Sequence, residues 1–532
     1  MRQSILSLFI LFTLIAPISA QPPITIHVSA NERIGPFKPV WTYFGYDEAN
    51  YTYTSNGRKL IRELSELSHT PVYIRTHNLL TTGNGIPALK WSSTNAYTED
   101  AAGKPVYDWT IIDKIFDTYL AAGAKPFVEI GFMPEALSTH PQPYRHTWPK
   151  GGIDTGWAYP PTSYAKWDRL IYEWVRHCLD KYGQREVESW FWEVWNEPDI
   201  FYWHGTPEQY DELYDHTAAA VKRALRTARV GGPASTGPAN PKAAGFLRQF
   251  LQHCAAAGSP LDFISYHAKG RPEVVDGRIR MGLSQQLQDV AAGFAIIREF
   301  QQFRGLPIFL SESDPEGCAA CSAQTHPQNA YRNGALYPVY LAETLDKILK
   351  LAARDRANLA GMLTWAFEFE DQPYFAGFRT LATNGIDKPV LNFFRMAGLM
   401  RGDIVQAEND RDVNALAVRS ENNVSVMVWN YGGDSMPAPP AEVETVISGI
   451  PPTAGRVLLE HYRIDRDHSN SYTAWQKMRS PQHPTSGEYA KLEAAGQLQM
   501  LASPRWVTVR NGALNQHFSL ERQGLSLLRL SW

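Results

Sequence analysis

A chain of 532 residues is too long for one hydrophobic core, so a large domain with a smaller companion is expected. The formal net charge of −3, with no basic run, argues against a nucleic-acid or other polyanion partner. Aromatic residues stand out at 16 Trp, 25 Tyr and 23 Phe; such rings fill cores and also line sugar sites, because the C–H faces of a pyranose pack on them as apolar groups do.

Taken in chain order, residues 1–20 read as a secretory signal. Arg2 supplies the positive end, Ile5 to Ile15 are almost wholly apolar, and Ser19-Ala20 suits cleavage before Gln21. The apolar run is short for a membrane span, and no later segment is long enough to cross a bilayer. The mature chain is therefore expected to be secreted or periplasmic, with no membrane attachment once the signal is removed. Residues 21–36 contain an alternating run, Ile24 to Ser29, that suits a strand returning to a later sheet.

Eight short β-rich runs follow, at Trp41–Tyr46, Val72–Thr76, Pro126–Phe132, Ser189–Trp195, Arg229–Gly232, Phe263–Tyr266, Pro307–Ser311 and Gly361–Phe367. Helical stretches separate them, at Gly57–Leu67, Ile111–Ala122, Pro161–Tyr182, Pro207–Ala228, Ala243–Ala257, Leu283–Phe303 and Asn329–Arg354. In Ile111 to Leu120 the apolar residues recur at three- and four-residue steps, and Gly123 stops the pattern. Strand–helix alternation of this kind predicts an α/β fold, a (β/α)8 TIM barrel over residues 37–398. From residue 399 to 532 the pattern changes to short β-like runs between Pro- and Gly-rich turns. These are Val413–Val418, Val424–Trp429, Val443–Ile447, Arg456–Arg463 and Trp506–Val509, and they predict a β-sandwich accessory domain.

Of four cysteines, Cys318 and Cys321 have the spacing of a redox motif or half a zinc site. No second close pair exists to complete a zinc site, and the pair lies in a Pro/Gly-containing loop, so a local staple or two plain thiols is expected. No metal cluster or phosphate loop is visible, and the reading needs no cofactor.

In a barrel, reactive groups sit at the C-terminal ends of strands. Two acids stand there. Glu197 closes the fourth run in Trp195-Asn-Glu-Pro198, and Glu312 closes the seventh in Ile308-Phe-Leu-Ser-Glu312. Hydrolysis of an acetal needs two carboxyls, one to protonate the leaving oxygen and one to attack or stabilise the anomeric carbon. Strands four and seven lie across the barrel from each other, so these side chains can meet over its mouth. Asn196 can bond a sugar 2-hydroxyl. Glu193, two residues earlier, alternates into the barrel as a structural acid. Asp314 and Glu316 are rivals to Glu312. His77 and Asn78 at the end of strand two, and Tyr266 and His267 at the end of strand six, are candidate sugar contacts. Trp365, at strand eight, is either a platform under the sugar or a core ring. Trp157-Ala-Tyr159 either walls the aglycone side or packs, and Phe132 is core or subsite wall.

Several segments together resemble glycoside hydrolase family 39, which contains β-xylosidases and α-L-iduronidases. They are Arg75-Thr-His77, Phe132-Met-Pro134, Trp195-Asn-Glu-Pro-Asp199, Gly231-Gly-Pro233, His267-Ala-Lys-Gly270 and Ser311-Glu-Ser-Asp-Pro315, in that order. The resemblance implies a retaining double displacement with Glu197 as acid/base and Glu312 as nucleophile. It also implies that His267 or Tyr266 bonds the nucleophile or the sugar. In members acting on uronic acids, basic groups near this loop bind the sugar carboxylate; Lys269 and Arg379 match that pattern. Xylosidase-like bacterial members look similar at His267-Ala-Lys-Gly270, so β-D-xylosidase activity is expected first, and α-L-iduronidase-like or α-L-arabinosidase activity second. A non-catalytic carbohydrate-binding barrel is disfavoured by the presence of both carboxyls, and a polymer-cleaving mannanase or cellulase would show a long open cleft. The expected partner is a small-molecule carbohydrate, and a homo-oligomer stays open.

Overall fold

A computed structural model of the chain describes residues 22–532, apart from 147–152, 155, 366, 410 and 412; the expected signal at 1–20 lies outside the described residues. Eight parallel strands close into a barrel: Tyr43–Tyr46, Tyr73–Thr76, Lys125–Ile130, Phe191–Val194, Arg229–Ser235, Phe263–His267, Ile308–Glu312 and Leu359–Trp365. Each expected run falls on one of these strands, with ends shifted by a few residues.

Strand alternation builds the barrel interior in layers. The lower layer is aromatic. Tyr43, Phe127, Phe191, Phe263 and Phe309 form one buried cluster, with Phe191 and Phe309 centred 4.8 Å apart. Two residues beyond Phe127 and Phe191 stand Glu129 and Glu193, and Arg75 stands two beyond Tyr73, whose ring packs against the same cluster; all three are 0% exposed. Above them, at the C-terminal ends, stand the candidate site residues.

Helices cover the outside, and their ends follow local chemistry. Pro207–Ala224 opens on a capping box in which Thr206 and Gln209 satisfy each other's backbone N–H groups. Pro241–Ala257 is capped by the Asn240 side chain and stops at Gly258 in the left-handed region. Thr110–Ala122 ends where expected, at Gly123 with φ +89°. A further helix, Pro389–Leu399, follows the eighth strand and was not among the helical stretches anticipated.

The second domain is one nine-stranded, mostly antiparallel sheet whose order runs through 499–508, 456–464, 525–531, 423–429, 414–419, 403–409, 24–36, 441–448 and 514–520. It curls over its own apolar face. Ile26, Val28, Val426, Val443, Leu459, Leu528 and Leu530 are all buried in one core. The N-terminal strand Ile24–Pro36 sits inside this sheet, antiparallel to 403–409 and parallel to 441–448. Two helices that sequence periodicity did not suggest, Ser471–Lys477 and Ser486–Gly496, lie between strands of this domain. Trp429 Nε1 donates to Glu343 on barrel helix Leu336–Asp355 at 2.6 Å, joining sheet to barrel. Among the described residues, no helix is long and apolar enough to cross a membrane.

Candidate active site

Glu312 is the last residue of the seventh strand and Glu197 follows the fourth. The backbone at the fourth strand's exit leaves strand geometry: Trp195 and Glu197 take φ of +71° and +44°. Such angles cost a non-glycine residue free energy and persist only where the surroundings fix them. Here the Glu197 amide donates to Ala234 O at 2.9 Å and the Trp195 indole donates to Tyr202 O at 2.8 Å. The turn aims Glu197 into the mouth.

The mouth is a cavity of about 300 Å³. Asp47, His77, Lys90, Asn196, Glu197, Tyr202, Lys269, Glu312, Glu316, Cys318 and Trp365 are among the residues that line it. One oxygen of Glu197, a ring nitrogen of His267 and one oxygen of Glu312 all lie within 4.8 Å of one another. His267 Nδ1 bonds Glu197 Oε1 at 2.8 Å and stands 3.9 Å from Glu312 Oε2.

Positive charge surrounds Glu312. Lys269 Nζ pairs with Oε2, while Arg75 Nη1 and His77 Nε2 stand 3.5 and 3.6 Å from Oε1. Burial alone would raise this carboxyl, but Lys269, His267 and His77 outweigh it and hold it well below the usual carboxylate range. Glu312 is thus held in its ionised form. Arg75 ties the floor together: Nε donates to Glu193 at 2.5 Å, Nη2 donates to Asn196 Oδ1 at 3.0 Å, and Nη2 lies 3.3 Å from Glu129. That bond fixes the Asn196 amide, which lines the cavity. His77 bridges Asp47 at 2.9 Å and Glu129 at 3.0 Å. Burial would lower its pKa; Glu129 and the bond to Asp47 raise it well above the ordinary imidazole value instead. Lys90 pairs with Asp47 from the loop after the second strand.

The expected residues divide in two. Asn196, Glu197, Lys269, Glu312, His77 and Trp365 line the cavity. Trp365 also packs as a core ring, 4.2 Å from the His77 ring with Arg75 5.2 Å over it. His267 is 0% exposed and reaches the site through Glu197. Tyr266 is elsewhere, and the expectation of a sugar contact there is corrected. It adjoins His267 on a strand, so it faces the opposite side. Its hydroxyl donates to Val290 O at 3.0 Å, and its ring lies against Gly293 on the helix outside the barrel. Arg379 is corrected likewise: it is 0% exposed, 3.6 Å from Asp314 and bonded to Gly317 O, behind the cavity wall. Asn78 bonds Asp47 O and Thr81 rather than lining the cavity. Trp157 bonds Pro141 O, and Tyr159 stacks between His140 and His204. Phe132 is buried under His77 and Tyr202. Of the rivals to Glu312, Asp314 accepts from the Trp365 amide, and Glu316 lines the wall.

Sequence reasoning passed over Asp47, Lys90, Arg75 and Glu129 as site residues. A signal for two of them existed: each stands two residues beyond an aromatic that points into the barrel. Cys318 and Cys321 form a disulfide in the wall loop, while Cys178 and Cys254 are buried thiols. The Glu197–His267–Glu312 trio has the spread of a metal site, yet Lys269 already neutralises one oxygen of Glu312 and Arg75 faces the other.

The family description "glycosyl hydrolases family 39" matches residues 24–510. The chain belongs to glycoside hydrolase family 39. It is a glycosidase, hydrolysing glycosidic bonds in a carbohydrate substrate. Relatives include a β-xylosidase of Geobacillus stearothermophilus, 28% identical over 86% of this chain and 86% of that one. A second β-xylosidase, from Caldicellulosiruptor saccharolyticus, is 28% identical over 77% of this chain and 80% of its own length. An α-L-iduronidase of Mus musculus is 23% identical over 97% of this chain and 82% of that one. Among solved structures, a monomeric β-xylosidase from Caulobacter crescentus superposes with a TM-score of 0.76 at 25% identity, covering 95% of this chain and 99% of that one. These structures share the barrel with its β domain.

Proposed function

We propose that this family 39 enzyme is a retaining, exo-acting β-D-xylosidase with Glu197 as acid/base and Glu312 as nucleophile. The observation that carries the reading is the pair of carboxyl oxygens within 4.8 Å across the mouth. Retaining glycosidases hold their carboxyls about 5–5.5 Å apart, whereas inverting ones need roughly 6.5–9.5 Å to admit a water. Glu312, held ionised by Lys269 and the two histidines, attacks the anomeric carbon. Glu197 gives its proton to the departing oxygen, leaving a glycosyl ester on Glu312. The ionised Glu197 then takes a proton from water as that water attacks the anomeric carbon, and the Glu312 carboxylate departs. His267, bonded to Glu197, fixes the orientation of the acid in both steps.

A cavity of about 300 Å³ suits one sugar ring and the start of an aglycone rather than a polymer groove, which supports exo action. The basic side chains linked to uronate recognition are engaged otherwise: Lys269 by Glu312, and Arg379 by Asp314 behind the wall. That favours a neutral pentose over an iduronide. Export by way of residues 1–20 belongs to the same proposal, and a mature chain beginning at Gln21 is its expected product. The test is a panel of aryl β-D-xyloside, α-L-arabinoside and α-L-iduronide with NMR of the first-formed anomer. β-Xylose released first is the expected result. α-Xylose first overturns retention, and preference for the iduronide overturns the substrate assignment.

A further inference from the structure

Glu316 takes no part in the displacement, yet its side chain forms part of the cavity wall. The loop that carries it is built with care. The Cys318–Cys321 disulfide closes a tight turn, and Arg332, 0% exposed, donates to the carbonyls of Cys318, Ala319 and Cys321 within it. The same guanidinium pairs with one Glu316 oxygen, and the Cys318 amide donates to the other at 2.7 Å. A fixed guanidinium beside a backbone N–H is a donor set that recognises a carboxylate. Here the protein's own carboxylate fills it.

The rest of the lining points the same way. Its two lysines each face an acid of the same cavity, Lys90 with Asp47 and Lys269 with Glu312. Glu316 is matched in the same way by Arg332, so each of these three acids already has its basic partner. A ring carboxylate entering this cavity would meet, among the described residues, no lining lysine that lacks an acid partner, and the Arg332 guanidinium already held by Glu316.

We infer that Glu316 is a specificity-determining residue, which makes the cavity reject sugars bearing a ring carboxylate and admit neutral ones. This rests on the reading of the cavity as the sugar site. Replacing Glu316 by a neutral group leaves the Arg332 charge buried without its acid, and a substrate carboxylate can then supply it.

The experiment measures calorimetric binding of a neutral piperidine iminosugar and of its ring-carboxylated counterpart, which does not require turnover. The full-length enzyme should bind the neutral compound at least about tenfold more tightly. In Glu316→Gln that preference should fall about tenfold or reverse, a coupling of the size one lost charge pair gives. An unchanged preference in a Glu316→Gln protein that melts as a single cooperative unit overturns the inference, as does equal binding of both compounds by the unsubstituted enzyme. If Glu316→Gln does not fold, the double variant Glu316→Leu/Arg332→Leu, which removes both charges together, decides the matter. The preference should shrink there too, and its persistence at full strength overturns the idea. Turnover of aryl β-D-xyloside by the unsubstituted enzyme is scored separately, so failure of the xylosidase reading is distinguishable from failure of this one.

Discussion

The two ends of the barrel are made by the same strands and behave as opposites. At the lower end, Tyr43, Phe127, Phe191, Phe263 and Phe309 fill the interior with rings. At the upper end those strands present Glu129, Glu193, His267 and Glu312, and the neighbouring second strand presents Arg75, in one buried ionisable network. One strand shows the change in three residues, from Phe191 to Glu193, with Glu197 just past its end. The lower layer gains from burying apolar surface. The upper layer pays desolvation and recovers it only because each charge meets an opposite one. The teaching is a division of labour along each strand, with stability set below and chemistry held above.

The largest expected effect tests the upper layer. Glu312→Ala should lower kcat by roughly 10⁴-fold or more, since it removes the proposed nucleophile outright. Circular dichroism should show an intact fold, and residual turnover above that level would mean that another acid, such as Glu316, attacks. Glu197→Ala should cost about 10²–10⁴-fold on substrates with poor leaving groups and much less on activated aryl glycosides. Added azide should restore part of the lost rate by giving a glycosyl azide of retained configuration. Equal losses on all aglycones, with no azide rescue, would remove Glu197 from the acid/base role.

How far the sequence spoke for itself also follows this division. Most barrel strands were legible because they carry β-branched and aromatic residues between turn residues; the fifth, Arg229–Ser235, has Val230 alone. The two carboxyls were legible because strand ends in a barrel converge on one mouth. The partners of those carboxyls were less so. Asp47 and Lys90 reach the site from separate loops, and nothing local marks their pairing through space. Tyr266 was misplaced through neglect of a local rule: neighbours on a strand cannot share a face, so choosing His267 excluded it. Arg379 was misplaced because a basic residue near a site gives no sign of which side of the wall it occupies. In the accessory domain, strands Asp403–Asn409, Leu514–Leu520 and Leu525–Ser531 went unseen, as did helices 471–477 and 486–496. Asp403–Asn409 and Leu514–Leu520 are largely polar, and helices of seven to eleven residues carry little periodic signal.

The lower layer makes the converse prediction. Phe191→Ala removes a ring in contact with those of Tyr43, Phe127, Phe263 and Phe309. It should cost about 3–5 kcal/mol of stability, read from denaturant midpoints. At temperatures where the variant stays folded, kcat should change less than about threefold, because the network at the mouth is held by its own pairs. A loss of kcat as large as that of Glu197→Ala would show that the two layers are coupled and would undo the division.

The smallest effect sharpens the same comparison at the rim. Glu368 lies just beyond the eighth strand, 1% exposed, and its carboxyl accepts from the Gly385 amide. Burial, reinforced by Asp387, raises its pKa to about 8, against the help of the Gly385 bond. This is the reverse of Glu312, where pairing wins over burial. The two acids therefore pull stability in opposite directions with pH. A carboxyl with a raised folded pKa keeps its proton while the unfolded chain releases one above about 4.3. Its contribution is full below that value and is lost as pH rises towards 8. Glu312, with its depressed value, contributes above the ordinary carboxylate range and loses its contribution as pH falls through the folded value. Glu368→Gln copies the neutral form and keeps an oxygen for the Gly385 amide. Its Tm relative to the unsubstituted enzyme should be near unchanged at pH 4.5 and rise steadily to pH 8, by a few degrees. A flat difference across that range would mean that Glu368 is ionised in the folded protein, and that the rim, like the mouth, holds its charges by pairing.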